Sequence, residues 1–125
     1  MQRLPEQFLD LLTGYPEMLS PFRTFAIEQL QEDNLNFWLA VEQFRKLERG
    51  SEEFRSSCRR IYNTYIKKKR IRCLTAMIRN RIRRIFNTPG RKLPSDLFSQ
   101  AQELVFHTMH QGVYFRYIET DVGKR

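Results

Sequence analysis

The chemistry of this chain is concentrated in its lysines and arginines. Between Phe54 and Ser95 there are 14 basic residues and no acidic one; Lys67-Lys68-Lys69-Arg70 form a run, and Arg79, Arg81, Arg83 and Arg84 form a second cluster. Ammonium and guanidinium groups at this density can hold phosphates, anionic lipid headgroups or an acidic protein surface, and composition does not choose among them. The rest of the chain carries 8 basic and 14 acidic residues, so the net charge of +8 arises wholly within this segment. The bland reading of the segment is a solvated helix face. Nucleic acid is the least favoured partner, because the aromatics fall on core stripes and do not interleave with the arginines.

Other reactive side chains lack the company that chemistry needs. His107 and His110 have i, i+3 spacing, but no third ligand lies near them in sequence, so no metal site is expected. Cys58 and Cys73 stand without a His-plus-acid constellation, and two cysteines cannot build a disulfide framework. The five glycines are scattered, so no phosphate-cradling loop is formed. No catalytic residue, enzyme activity or cofactor is expected.

The elements that must position the basic groups are helices. The chain has 125 residues, 41% of them hydrophobic and 13% aromatic, which suits one domain with one core. Apolar residues recur at three and four, and no stretch keeps a period of two, so the fold class is all-α. The spacing predicts a first helix from Pro5 to Leu12, closed by Gly14. A second is expected from a Ser20 cap with Pro21 at its first position to about Leu30. A third follows the polar Gln31-Glu32-Asp33-Asn34 connection, where acids favour the positive end of the helix dipole, and runs to the Gly50-Ser51 break. Phe54, Cys58, Ile61, Tyr62 and Tyr65 mark a fourth. A basic amphipathic helix is expected from Ile71 to Phe86, with a break near Asn80, then one capped by Ser95 and stopped by Gly112, and a short last helix with Tyr114, Tyr117 and Ile118. Phe22, Phe25, Phe37, Trp38, Phe98 and Phe106 are expected in the core. No apolar run approaches the roughly 20 residues of a membrane span. Met1 to Phe8 alternate charged and apolar residues and lack the apolar stretch of a secretory signal.

Phe22-Arg23-Thr24-Phe25, followed by Glu32-Asp33-Asn34-Leu35-Asn36-Phe37-Trp38-Leu39-Ala40-Val41-Glu42, closely resembles the signature of regulator of G-protein signalling (RGS) domains. Arg60-Ile61-Tyr62-Asn63-Thr64-Tyr65-Ile66 resembles the next helix of that family, and Ala101-Gln102 to Met109 with Tyr114-Phe115-Arg116-Tyr117 its closing helices. The resemblance spans Phe22 to Ile118. It implies an RGS-like bundle of about nine helices in two lobes, with residues 1–125 forming a single such domain excised from a larger protein.

The resemblance also implies a partner, the GTP-loaded α subunit (Gα) of a heterotrimeric G protein, whose hydrolysis the family accelerates by steadying the mobile switch segments. Three loops at one end make that contact. Carried over by position, Gln31, Asp33 and Asn34 fall in the first loop and Arg116 in the third, while Leu30 stands where an aromatic is common. The second loop departs from the pattern, since Lys67 to Thr75 contains no asparagine in register, and the third matches only in part, since Gly112-Val113 replace the Asp-Ser that usually precedes the tyrosine. The rival reading is therefore an RGS-homology scaffold or membrane-docking module with little GTPase-activating effect. In that reading Lys67, Lys68, Lys69, Arg70, Arg79, Arg81, Arg83 and Arg84 meet an anionic membrane surface. Either reading places the domain in the cytoplasm, with the second adding a peripheral position at the membrane.

Overall fold

The structure is a computed structural model that describes residues 5–90, 92–120 and 123. Met1 to Leu4, half of the N-terminal stretch read for a secretory signal, lie outside the described residues. Among those described the fold is all-helical. Seven α-helical segments run α1 Pro5–Thr13, α2 Pro16–Glu28, α3 Glu32–Arg45, α4 Glu52–Ile61, α5 Ala76–Phe86, α6 Ser99–Met109 and α7 Phe115–Tyr117. A π turn at Tyr62–Ile66 extends α4, and another at His110–Tyr114 joins α6 to α7. The count of about nine helices is not reproduced among these residues.

The central helix is α3. Leu35, Phe37, Trp38, Val41 and Phe44 are all buried and lie around much of its circumference, because α3 packs on α2, α4 and α6. Phe44 stacks on Phe54 at 4.6 Å between ring centroids and meets Phe98 edge-on at 5.5 Å, joining α3, the start of α4 and the entry to α6. A second aromatic group forms where Phe8 of α1 stacks on Tyr114 at 4.4 Å and meets Phe22 of α2 at 5.5 Å. Gln102 is the polar tie between α3 and α6. Its Nε2 donates to the Trp38 carbonyl and to Glu42 Oε1, both at 3.1 Å, and its Oε1 accepts from Arg45 Nη1 at 3.4 Å. Of the six aromatics expected in the core, Phe22, Phe37, Trp38 and Phe98 are buried, whereas Phe25 and Phe106 are half-buried against it.

Several boundaries differ from those the spacing predicts. Helix α2 begins at Pro16, not at Ser20: Tyr15 is extended, Pro16 takes the first turn, and Pro21 lies inside the helix. Pro16 suits the start as well as Pro21 does, and the N–H missing at Pro21 leaves free only the exposed Glu17 carbonyl, a tolerable loss one turn in. Ile71 to Leu74 do not belong to α5. Thr75 caps that helix by accepting from Ile78 N–H at 3.2 Å, and Ile71 and Leu74 are buried as loop anchors whose spacing of three mimics a helical stripe. Asn80 does not break α5. Ser95 does not cap α6, which starts after a turn in which Ser99 N–H bonds the Asp96 carbonyl. Gly112 does not stop α6, because the π turn carries the backbone through it in a right-handed path to Phe115. The third helix ends at Arg45, short of the Gly50-Ser51 break, and Ser51 instead caps α4 by accepting from Phe54 N–H at 3.1 Å. One predicted stop holds. At Gly14 a Cβ would lie 2.6 Å from the Asp10 carbonyl oxygen, so α1 closes on a residue without one.

Candidate functional site

Helix α2 ends in a Schellman motif. Gln31 N–H bonds the Ala26 carbonyl at 2.8 Å, Leu30 N–H bonds the Ile27 carbonyl at 3.0 Å, and Leu30 sits in the left-handed region at φ 60°. Glycine normally fills that position, and an L-residue there costs about 1–2 kcal/mol. The leucine gains no burial in return, since its side chain is 89% exposed. The extended α4 ends the same way: Arg70 N–H bonds the Tyr65 carbonyl at 3.1 Å, Lys69 N–H bonds the Ile66 carbonyl at 3.1 Å, and Lys69 has φ 54°. Both tight exits turn the chain sharply and bring the two loops side by side.

Between them lies an open cleft of about 410 Å³ lined by Gln29, Leu30, Gln31, Asp33, Asn34, Arg70 and Arg72. Asn34 Nδ2 donates to Gln31 Oε1 at 2.8 Å, which orients both amides, while Asp33 is exposed in the first turn of α3. Gln31 stands at the N-cap position of α3, and its side chain makes no capping bond. Arg116 reaches the same end from α7, its Nε donating to Gln29 Oε1 at 3.2 Å. Gln31, Asp33, Asn34 and Arg116 are therefore neighbours in space although 85 positions separate the first from the last. Beneath the cleft Tyr65 meets Phe37 edge-on at 5.4 Å, and its hydroxyl is held above its usual pKa by burial and then by Asp33, with Arg70 opposing. Asp33 and Arg70 thus share one local field, and among the described residues neither forms an ion pair within 4.0 Å.

The eight basic residues do not act as one patch. Lys67, Lys69, Arg79 and Arg83 converge with Tyr62, Ile66, Ala76 and Asn80 on a second cleft of about 140 Å³ between the end of the extended α4 and α5. Arg70 belongs to the first cleft. Arg81 turns toward α6 and donates to Gln100 Oε1 at 3.2 Å, and Lys68 and Arg84 are exposed outside both clefts. Sequence reasoning missed Gln29, whose link to Arg116 crosses 87 residues and has no local signature, and missed Arg72, hidden by the reading of residues 71–75 as helix.

The remaining reactive residues have structural surroundings. Cys58 is fully buried, and burial pushes its thiol up from 9.0 to about 11, with Arg59 opposing, so the nucleophilic thiolate is suppressed. His107 is exposed, 3.9 Å from Glu103, and His110 packs against Phe8, Phe106 and Tyr114. Among the described residues no group of three or more His, Cys, Asp and Glu side chains could hold a metal, and no helix is long and apolar enough to cross a membrane.

The family model for the Regulator of G protein signaling domain matches residues 7–124. The chain is 27% identical over 115 residues to Regulator of G-protein signaling 10 of Rattus norvegicus, covering 91% of this chain and 61% of the relative. It is 29% identical over 121 residues to Regulator of G-protein signaling 20 of Bos taurus, covering 94% of this chain and 31% of that protein. It is 25% identical over 119 residues to Regulator of G-protein signaling 21 of Homo sapiens, covering 94% and 75% of the two chains. The chain thus spans about three fifths of the first of these relatives.

Proposed function

Because the chain belongs to the regulator of G protein signaling domain family, we propose that it binds a GTP-loaded Gα subunit through Gln31, Asp33, Asn34 and Arg116 and accelerates the partner's GTP hydrolysis. What carries the reading is the convergence of these four residues, drawn from two distant segments, on one end of the bundle. The chemistry belongs to the partner: Gα supplies its arginine in cis and a glutamine that orients the attacking water. The domain's part is to hold the switch segments in their reactive geometry, which lowers the barrier by positioning. A rigid platform suits that work. The Asn34–Gln31 bond fixes two amides that can both donate and accept across an interface, and the Gln29 bond holds the Arg116 guanidinium before a partner arrives.

Single-turnover GTP hydrolysis on a panel of Gα subunits tests this reading. The expected result is a faster rate with the wild-type domain and loss of that gain with Asn34→Ala. Binding without acceleration would move the protein to the rival reading, a scaffold of the RGS fold. That rival is favoured by one observation: Arg70 and Arg72 enter the cleft from the loop where the resemblance expects an asparagine and an acid. Lys67, Lys68, Lys69, Arg79, Arg81, Arg83 and Arg84 supply a separate anion-docking face suited to an anionic membrane, where a Gα partner would also be met. In both readings the single domain works in the cytoplasm, at or near that membrane.

A further inference from the structure

A hydroxyl residue is followed by proline at two places in the chain, Ser20-Pro21 and Thr88-Pro89. That dipeptide is what a proline-directed kinase accepts. Proline has no N–H, so it can enter an apolar pocket without stranding a donor, and it biases the residue before it toward the extended backbone that a kinase cleft holds. The two dipeptides are equivalent as sequence, and the fold separates them.

Ser20 is exposed but lies within α2, where its carbonyl accepts from Thr24 Oγ1 at 3.3 Å. Two residues on, Phe22 is fully buried, edge-on to Phe8 at 5.5 Å and to Tyr117 at 5.2 Å. Extending this stretch into a kinase cleft would draw Phe22 out of the core and leave a cavity behind it. Thr88 stands past the end of α5, and Asn87, Thr88, Pro89 and Gly90 are all exposed. Gly90 has φ 71°, and nothing lies within 4 Å of where its Cβ would be, so the space beyond the proline is open. Two bonds hold Thr88: its N–H donates to the Ile85 carbonyl at 3.4 Å, and its Oγ1 donates to the Arg84 carbonyl at 2.6 Å. Opening them exposes no core residue.

We propose that Thr88 is a phosphorylation site for a proline-directed serine/threonine kinase, and that the phosphate loosens the end of α5. In the transfer Thr88 Oγ1 bonds to the γ-phosphorus of the kinase's ATP, and the bond from that phosphorus to the bridging oxygen breaks to leave ADP. The hydroxyl proton passes to the aspartate of the kinase's catalytic loop. The product has no O–H to give the Arg84 carbonyl, and it sets a charge of about −2 against the negative end of the helix. The same turn carries the contacts to the α4 extension: Phe86 stacks on Tyr62 at 4.0 Å, and Asn87 Nδ2 donates to Tyr62 Oη at 3.5 Å.

The test is to incubate the full chain with ATP and, in turn, a cyclin-dependent kinase and a mitogen-activated kinase, and to map the phosphate by peptide mass spectrometry. Wild type should take up phosphate at Thr88 and none at Ser20. Pro89→Ala, in an exposed turn that leaves the core untouched, should slow uptake at Thr88 by about tenfold or more, the scale of losing one apolar pocket contact. Amides of residues 85–88 should exchange hydrogen about three- to tenfold faster in the phosphorylated protein, the scale of one lost hydrogen bond with the helix dipole opposing the phosphate. No phosphate at Thr88 with either kinase, or Ser20 modified ahead of Thr88, would overturn the site. An unchanged rate in Pro89→Ala would overturn the kinase class. Exchange that stays level or slows on phosphorylation would overturn the loosening.

Discussion

Leu30→Gly should make the domain more stable and a poorer partner at once. The left-handed conformation at φ 60° costs an L-residue about 1–2 kcal/mol, and glycine adopts it freely. Against that relief stands the larger unfolded-state entropy of glycine, about 0.5–1 kcal/mol. The lost side chain matters little to folding, since it is 89% exposed. The balance is a gain of about 0.5 kcal/mol, read as a higher urea midpoint with an unchanged slope. If the exposed tip is an anchor for Gα, the same change removes a leucine whose burial is worth about 1.5–3 kcal/mol, so affinity falls by roughly ten- to a hundredfold. Leu30→Ala separates the effects, because it keeps the strained backbone and loses the anchor: binding should fall with no gain in stability. A glycine variant that is less stable than wild type would refute the strain argument. One that binds Gα as well as wild type would remove Leu30 from the interface.

Other perturbations read other parts of the molecule. Gln102→Leu leaves the carboxylate of Glu42 and the Trp38 carbonyl without their shared donor, and should destabilise by about 1–3 kcal/mol in chemical denaturation. Gly112→Ala should stabilise by about 0.5–1 kcal/mol, because the site is helical and the nearest atom a Cβ would meet is Arg116 Nη1 at 3.9 Å. Cys58 favours its protonated form in the folded state, so its contribution is complete below pH 9.0 and lost as pH rises toward about 11. Tyr65, Tyr114 and Tyr117, whose hydroxyls burial also raises, add to that alkaline loss. Stability measured from pH 8 to 11 should therefore decline, and Cys58→Ala should flatten the decline; a profile level above pH 9 would contradict the assignment. At neutral pH a thiol reagent should modify half-buried Cys73 well before Cys58.

The sequence was most legible where side-chain chemistry and backbone need coincide. Gly14 closes α1, and the aromatic run of α3 has no plausible place but the core. It was least legible where several residues could serve one role. Pro16 and Pro21 both suit a helix start, and a buried loop through Ile71 and Leu74 copies helical spacing. Gly112 looks like a stop, yet a π turn uses it as an interior residue. In the site, Gln31, Asp33 and Asn34 are contiguous and form a motif, so they could be read directly. The closure by Arg116 and Gln29 depends on tertiary packing. The left-handed tips at Leu30 and Lys69 were hidden because neither residue type favours that conformation.

The central claim is that the end formed by Gln31, Asp33, Asn34 and Arg116 recognises Gα in its reactive state. The most direct measurement is equilibrium binding to a Gα panel loaded either with GDP alone or with GDP and aluminium fluoride, which imitates the transferring phosphoryl group. Wild type should bind the fluoride-loaded form far more tightly, since acceleration requires preference for the transition state. Asp33→Ala/Asn34→Ala should lose that preference while unfolding at the same urea concentration as wild type. Equal affinity for the two nucleotide states, or a preference that survives the double substitution, would contradict the account.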